Sequence, residues 1–202
     1  YGADIACGDI QPLGMHIQCG GGQAGFIAVH DEPKFVMEIP LRIYGIVPTL
    51  FPGEYGFGEI AIERTSLMSR EKGKEWVGTM ANLWGITAAV YLATLGRYGL
   101  VEIGKLIMSN THYAYDSITN LPNVTPRFSN NFIFREFVVN YADTNKHVTE
   151  INRKLLEKKI FGGYDLTGKI KGLDDCVIYC TTEIHSKKDI DTLVNALKEI
   201  IG

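Results

Sequence analysis

The sequence has no cluster of like charges. Its 202 residues include 20 Lys and Arg against 23 Asp and Glu, which gives a formal net charge of −3. Proteins that bind nucleic acid or anionic membranes usually collect basic residues into a run or patch. The charge pattern therefore predicts neither kind of partner, and the 46% hydrophobic content is that of an ordinary globular protein.

The sequence also lacks a hydrophobic run that is long enough for a membrane span. The most apolar stretch, from Met80 to Gly96, is short for a span and carries Asn82, Thr87 and Thr94. We therefore predict a helix that is buried inside a globular core. The first residues lack the pattern of a signal peptide, and because they begin directly as a strand we expect a fragment whose first half lies upstream.

Cysteine is scarce, and the four cysteines are Cys7, Cys19, Cys176 and Cys180. Cys176 and Cys180 would lie roughly 13 Å apart along a strand, which is too far for a disulfide bond. Cys7, His16 and Cys19 match no common zinc-binding spacing. We therefore expect no metal site, and reduced cysteines that act as small core side chains in a cytoplasmic protein.

The most distinctive segment of the sequence is Gly2–Gly25. Residues 2–7 alternate as a strand, Gly8–Gly14 form a polar elbow, and Gly20–Gly22 lead into a second, apolar strand. We predict that the two strands form the edge of a larger buried sheet. Elbows of this kind often face a cofactor, yet this elbow has no lysine, serine or cysteine at its tip.

The rest of the chain predicts a hairpin, two long helices and an α+β unit. Alternating segments flank the turn dipeptide Pro52–Gly53, which is typical of a hairpin. Helices are predicted on both sides of Gly96, a natural C-cap. From residue 122 onward the pattern is β-α-β-α, with one helix capped by Asp143–Thr144 and the last helix capped by Ser186.

Several segments together resemble subunit 1, the alpha subunit, of glycine dehydrogenase (decarboxylating), which is one half of the split P-protein of the glycine cleavage system. The similarity begins in the elbow segment and continues in register into the last helix. Because it spans nearly the whole chain, it is more specific than any single motif. It is carried by residues 2–5, 8–9, 11–14, 20–21, 25–26, 70–72, 88–92, 95–96, 137–139, 155–157, 162–163, 180–183 and 189–191.

The resemblance implies an α/β chain with the architecture of a fold-type I pyridoxal-phosphate transferase. Residues 1–98 would be the C-terminal part of the large domain with a bridging helix, and residues 99–202 would be the small C-terminal α+β domain. In the catalytic beta subunit of the family the elbow ends in the Schiff-base lysine, which aligns here with Gln11–Pro12. Neither of these side chains can form an imine. The resemblance therefore implies that this chain has no catalytic residue and that the partner subunit holds the cofactor.

Eight residues are candidates for contacts with that cofactor, and six of them also have a plainer explanation. The glycines could bind phosphate through backbone N–H groups or could simply form a tight turn. The histidine could stack on the cofactor ring or lie at the surface, and the glutamine could line the site or make structural hydrogen bonds. The other three offer a charge, an aromatic ring and a hydroxyl group, and the lysine could instead belong to a solvated or interface charge cluster with Arg70 and Glu71. The candidates are Gln11, His16, Gly20, Gly21, Gly22, Lys72, Trp76 and Thr79.

The resemblance implies a subunit of glycine decarboxylase that is inactive alone. With subunit 2 (beta) it would decarboxylate glycine on pyridoxal phosphate and pass the aminomethyl group to the lipoyl arm of the H-protein, as a cytoplasmic heterotetramer. The chain departs from the family at Gly73–Met80, which replaces the usual segment after Arg70–Lys72. Two alternatives therefore stay open, namely an inert structural or regulatory paralogue and another pyridoxal-phosphate enzyme such as a class V aminotransferase relative.

Overall fold

A break at Gly96 in the longest helix coincides with the boundary between two compact units. The computed structural model describes residues 2–15, 23–75, 81–128 and 132–202. Unit 1 comprises Tyr1–Leu95, and unit 2 comprises Gly96–Gly202.

Unit 1 contains two separate two-stranded antiparallel sheets. Strand β1 (Ile5–Asp9) pairs with β2 (Gly25–Val29), and β3 (Ile43–Pro48) pairs with β4 (Tyr55–Ile60). The remaining short elements of this unit are α1 (Pro33–Val36), a 3-10 helix at Ile62–Arg64, α2 (Ser66–Ser69) and a second 3-10 helix at Arg70–Lys72.

The hairpin predicted around Pro52–Gly53 is confirmed. The amide of Thr49 donates to the carbonyl of Glu54 at 3.0 Å, which closes the turn between β3 and β4. Gly53 adopts a φ of +82°, a left-handed conformation that glycine reaches without steric cost. The turn chemistry therefore sets the pairing of the two strands.

The strands of unit 1 are more exposed than the sequence pattern predicts. On β3 and β4 one face carries Tyr44, Ile46 and Phe57, and Phe57 is 87% exposed. The predicted pairing of the strands that flank the elbow is confirmed, but a larger buried sheet is absent from the described residues. The reason is physical, because a two-stranded ribbon offers too little surface to bury its own apolar side chains.

The long helix α3 (Asn82–Thr119) contains one residue with non-helical backbone, Gly96, at φ 59° and ψ −176°. The two helices predicted on either side of Gly96 are therefore confirmed. The prediction that the first of them is buried is wrong for this chain, since Leu83 is 68% exposed and Ala88 is its one buried hydrophobic residue among those described. An apolar helix needs cover on several sides, and the described part of unit 1 covers only part of it.

Unit 2 is an α+β structure, as predicted, and its strands form a four-stranded sheet. Strands are antiparallel where they pair, in the order β5-β6-β8-β7. A 3-10 helix at Ala142–Thr144 follows β6. The main elements are β5 (Thr125–Pro126), β6 (Glu136–Asn140), α4 (Val148–Glu157), β7 (Tyr164–Asp165), β8 (Cys176–Cys180) and α5 (Lys187–Ile201).

The core of unit 2 lies between the odd-numbered residues of β6 and β8 and the apolar faces of its helices. Phe137 and Val139 on β6 face Tyr179 and Val177 on β8 across the strand pair, and all four are buried. The helices contribute a further group of buried side chains: Ala114, Ile118, Val148, Ile151, Leu155, Ile190, Ala196, Leu197 and Ile200.

Two tyrosine hydroxyl groups share a hydrogen bond inside this core. The Oη atoms of Tyr141 and Tyr179 are 3.0 Å apart. Burial raises the pKa of Tyr179 to about 12, and burial also raises the pKa of Tyr141. Both tyrosine side chains therefore stay neutral, and each hydroxyl group has the other as its hydrogen-bond partner inside the core.

One of the two predicted helix caps in unit 2 is wrong and the other is confirmed. His147, not Asp143–Thr144, precedes α4, because those two residues form the separate 3-10 helix. Ser186 does cap α5, and its capping box with Asp189 is complete. In the described part of the chain, no helix is both long and apolar enough to cross a membrane.

The cysteines differ in burial from the prediction. Cys176 is buried in the core, whereas Cys7 and Cys180 are exposed, and all three are free thiols. Cys7 lies on the open pair β1–β2, and Cys180 lies at the end of β8, so neither position is enclosed. Cys19 lies outside the described residues.

Replacing Gly96 with alanine is expected to destabilise the chain by about 1–3 kcal/mol, because this φ/ψ combination is essentially restricted to glycine. Urea denaturation followed by circular dichroism measures the change. The matched control is Gly104→Ala in the same helix, where a Cβ would meet no atom within 4 Å. That change should stabilise by up to about 1 kcal/mol, and equal effects of the two variants would contradict the assignment of a break at Gly96.

The variant Asp189→Asn is expected to lower stability at neutral pH and to have no effect in strong acid. Hydrogen bonds from the Ser186 hydroxyl and backbone N–H hold the pKa of Asp189 below its ordinary value of 3.8. The stabilisation is therefore complete above that value and disappears as the pH falls through the lowered folded-state pKa.

Denaturation curves at pH 7 and near pH 2 check this prediction. The control is Asp116→Asn on α3, whose carboxylate is exposed and accepts no hydrogen bond from a described residue. A loss of stability for Asp189→Asn that is equally large at both pH values would contradict the role of the carboxylate.

Candidate functional site

The elbow after β1 is a turn that is closed by hydrogen bonds of its own residues. The amide of Gln11 donates to Oδ1 of Asp9 at 2.7 Å, and the amide of Leu13 donates to the carbonyl of Ile10 at 3.0 Å. The amide of Ile10 donates to Ala24 at 3.0 Å, which ties the elbow to the chain that returns before β2. An aspartate that receives the amide two residues later is typical of an Asx turn.

Close packing explains two glycines of the elbow segment. A Cβ on Gly14, whose φ is +88°, would lie 3.1 Å from the ring of Tyr91 on α3. A Cβ on Gly8 would lie 2.8 Å from the ring of Phe26 on β2. The elbow is therefore fixed between the helix and the neighbouring strand within unit 1.

The tip of the elbow presents Gln11 and Pro12 and no group that could bond covalently to a cofactor. Gln11 is half-buried, and its side chain makes no hydrogen bond with a described residue. An open depression of about 490 Å³ lies beside the elbow, lined by Gly8, Asp9, Gln23, Ala24 and Gly25. The Asp9 carboxylate in it is engaged by the amide of Gln11. The described residues therefore do not fit a covalently held pyridoxal phosphate.

Of the eight candidate residues, the structure places two. Gln11 lies at the elbow tip, and Lys72 ends the 3-10 helix Arg70–Lys72. His16, Gly20, Gly21, Gly22, Trp76 and Thr79 lie outside the described residues. A common site for all eight therefore stays a prediction.

Arg64 makes hydrogen bonds to parts of the chain that lie before and after the 3-10 helix Arg70–Lys72. It is only 4% exposed, and its Nε and Nη1 donate to the carbonyls of Met37 (3.1 Å) and Leu41 (2.7 Å). Its own carbonyl accepts a hydrogen bond from the amide of Lys74 at 2.8 Å. One buried residue thereby joins three separate segments of unit 1. Hydrophobic periodicity gives no signal for such a residue, because its partners are distant backbone carbonyls.

Glu75 anchors the far end of the same segment. Its Oε1 accepts a hydrogen bond from the amide of Ser66 at 2.6 Å and another from the Ser66 hydroxyl group. These bonds hold the pKa of Glu75 below its usual range. Gly73 lies so close to Ser66 that a Cβ on Gly73 would be 2.6 Å from the Ser66 nitrogen. The segment therefore has a defined path up to residue 75.

Lys72 is a cation of this segment that has no ion-pair partner among the described residues. Its side chain is exposed and forms no ion pair with a described residue. The other two lysines in the described part of unit 1 are paired, Lys34 with Glu32 and Lys74 with Glu38, each at 2.9 Å. Lys72 is therefore the lysine of this unit that can contact an external anion without breaking an ion pair.

A second cavity, which the sequence did not predict, lies wholly within unit 2. Its volume is about 670 Å³, within the usual range of ligand and peptide-side-chain pockets. Most of its wall is apolar, from Phe137, Ile160, Ile178 and Leu193. No sequence motif marks this cavity, because it forms where a strand, a helix and a loop meet.

A comparison with protein families matches residues 1–197 to the model of the glycine cleavage system P-protein. A probable glycine dehydrogenase (decarboxylating) subunit 1 from Staphylothermus marinus is 36% identical over 201 residues, which is 100% of this chain and 42% of that protein. The chain thus spans less than half the length of the curated relatives that it matches.

Two solved structures show the fold. A glycine decarboxylase (P-protein) of the glycine cleavage system in inhibitor-bound form is 30% identical, with a TM-score of 0.84 over 99% of this chain and 44% of that chain. A variant of the cystine lyase C-DES with glycine linked to its PLP cofactor is 18% identical, with a TM-score of 0.55 over 90% of this chain and 42% of that one. The predicted α/β, fold-type I architecture is therefore confirmed. On these matches, which run nearly from end to end, the chain belongs to the glycine cleavage system P-protein family.

Proposed function

We propose that this chain is part of subunit 1 of a glycine dehydrogenase (decarboxylating) and works only together with a lysine-bearing second subunit. The pair would decarboxylate glycine in the cytoplasm and transfer the aminomethyl group to the lipoyl arm of the H-protein. Residues 1–98 would be the end of the large domain, with the bridging helix, and residues 99–202 the small domain. The assembly would be a heterotetramer.

The elbow is the observation that carries this proposal. The family match runs through the elbow without interruption, and the elbow is a well-formed turn held by Asp9 and Gly14. Its tip nevertheless carries Gln11–Pro12, and no described lysine lines the adjacent depression. A preserved cofactor-site turn without an amine supports a role as the partner that completes a site on another subunit.

The proposed contacts with pyridoxal phosphate follow from the chemistry of each side chain. When bound to the second subunit, the cofactor supplies the electron sink for decarboxylation. Lys72 would add a positive charge next to its phosphate, Thr79 a hydroxyl donor, and Trp76 an aromatic face. Gly20–Gly22 would offer backbone N–H groups, and His16 and Gln11 would line the remaining wall. Arg64 would act at a distance, by fixing the path of the chain that leads through Lys72.

One observation favours a second candidate, an inert structural or regulatory paralogue. In the segment that departs from the family pattern, Lys74 is paired with Glu38 and Glu75 is bonded to Ser66. Both side chains are thus engaged within unit 1 and do not replace the contacts that the usual family segment could make. A scaffold role needs no such contacts.

Reconstitution with the second subunit tests both candidates. The P-protein polypeptide that contains this chain is combined with the second subunit and pyridoxal phosphate, and glycine-dependent exchange of labelled bicarbonate is measured. We expect exchange only when both subunits are present, and borohydride reduction should attach the cofactor to the second subunit alone. Cofactor attached to this chain would refute the proposal. Assembly without exchange would favour the scaffold role.

The variant Lys72→Gln is expected to weaken pyridoxal-phosphate binding by the assembled pair about tenfold, because it removes one charge-assisted hydrogen bond to phosphate. Fluorescence titration of the assembled pair with the cofactor gives the dissociation constant. The control Lys34→Gln breaks only an exposed ion pair with Glu32 and should leave the constant unchanged. Equal affinities for Lys72→Gln and the unaltered pair would remove Lys72 from the site.

A further inference from the structure

The cavity of unit 2 has an apolar wall to which several elements contribute. Phe137 lies on β6, Ile178 on β8 and Leu193 on α5, while Ile160 follows α4. The volume is about 670 Å³, which at roughly 30 Å³ for each non-hydrogen atom holds up to about 20 such atoms. The cavity therefore suits an organic molecule with a sizeable apolar body and not an inorganic ion.

The end of α4 fixes a charged and an apolar residue side by side in this wall. The amides of Lys159 and Ile160 donate to the carbonyls of Leu156 and Leu155, each at 2.9 Å. Lys159 has a φ of 61°, the left-handed conformation in which many helices end. Both residues line the cavity. The helix end therefore sets where the ammonium-bearing residue and the apolar residue enter the wall.

Lys159 supplies a positive charge that no described carboxylate balances. It takes part in none of the ion pairs of unit 2 within the described residues. The two carboxylates of the wall are engaged. Asp189 accepts hydrogen bonds from the amide and the hydroxyl group of Ser186 at 2.8 and 2.6 Å, and Glu136 lies 3.9 Å from Arg135. The unbalanced charge in the wall therefore favours an anionic group on the ligand.

His185 adds a hydrogen-bond donor to the same wall. Its Nδ1 accepts the amide of Thr182 at 3.0 Å, so in the neutral ring the proton is on Nε2. Nε2 makes no hydrogen bond with a described residue. Nδ2 of Asn110 donates to the carbonyls of Thr182 and His185 at 3.1 and 2.8 Å, which holds the turn in place. The histidine and the lysine therefore both favour a ligand group that accepts hydrogen bonds.

We propose that the cavity of unit 2 binds a small carboxylic acid with an aryl or alkyl body of about ten carbon atoms. Its carboxylate accepts hydrogen bonds from Lys159 and His185, and its body lies against Phe137, Ile160 and Leu193. Burial of the body supplies most of the affinity, and the charge-assisted hydrogen bond to the lysine fixes the orientation. The proposal is independent of the enzymatic role, because every group that it uses belongs to unit 2 and none contacts pyridoxal phosphate.

Calorimetric titration of the complete P-protein polypeptide that contains this chain tests the inference, with phenylbutyrate as the probe. We expect saturable binding of one molecule per polypeptide. Phenylbutanol keeps the body without the charge, and acetate keeps the charge without the body, so each should bind about tenfold more weakly or worse. Absence of saturable phenylbutyrate binding would overturn the proposal, and so would equal affinity for the alcohol. Neither glycine nor the second subunit enters this measurement, so its outcome is separate from that of the enzymatic proposal.

Two neighbouring lysines separate a specific contact from a general effect of charge. Lys159→Gln is expected to weaken phenylbutyrate binding about tenfold, because it removes the charge that the carboxylate contacts. Lys158→Gln removes an equal charge from the adjacent residue, which pairs with Glu199 at 2.5 Å and does not line the cavity. It should leave the affinity unchanged. Equal effects of the two variants would remove Lys159 from the site.

A pair of leucines tests where the apolar body lies. Leu193→Phe fills part of the cavity and should weaken binding, whereas Leu156→Phe enlarges a side chain that is 55% exposed and outside the cavity wall. Full retention of binding by both variants would show that the probe binds elsewhere. In the unaltered polypeptide the methyl resonances of Ile160 should shift on binding while those of Leu156 do not, a readout that needs no variant. Unshifted Ile160 resonances at saturation would likewise overturn the assignment.

Discussion

The arrangement of the loops in unit 1 depends most on the hydrogen bonds of the buried Arg64 guanidinium group. A charge in this position is stabilised by the backbone carbonyls of Met37 and Leu41, which accept its hydrogen bonds, and by the nearby Glu75 carboxylate. Its own carbonyl then fixes Lys74, and Glu75 fixes Ser66. Removing the side chain would leave the carbonyls of Met37 and Leu41 without this donor. The path of the candidate phosphate contact is therefore set by a residue that touches no ligand.

The sequence predicted the local structure of this chain better than its burial. The hairpin at Pro52–Gly53, the helix break at Gly96 and the cap at Ser186 are encoded by residues that act within a few positions of themselves, so they could be read directly. Burial depends on what lies across from a side chain. Leu83 and Phe57 have core-like patterns, yet both are exposed, because the described part of unit 1 places nothing against them.

The candidate site, too, has features that the sequence predicts and features that it does not. The resemblance identified Gln11–Pro12 as the place where a lysine is missing, and the structure shows the turn that presents it. The role of Arg64 and the cavity of unit 2 could not be predicted, since both depend on contacts between distant parts of the chain. Asn152 and Gly163, for example, are 11 positions apart and are joined by a hydrogen bond between helix and loop. Hydrophobic periodicity carries no information about such contacts.

The two units differ in how much of their own apolar surface they bury. Unit 2 buries a continuous core, and its two central tyrosine hydroxyl groups satisfy one another. Unit 1 consists of two-stranded ribbons and an apolar helix whose side chains stay largely exposed, and such ribbons are marginal alone. The elbow belongs to unit 1. It is nevertheless held by contacts within that unit, since Asp9 accepts the amide of Gln11 and Gly14 packs against the ring of Tyr91. The turn that presents Gln11–Pro12 is therefore defined by local bonds and close packing, although the ribbons beside it leave much apolar surface exposed.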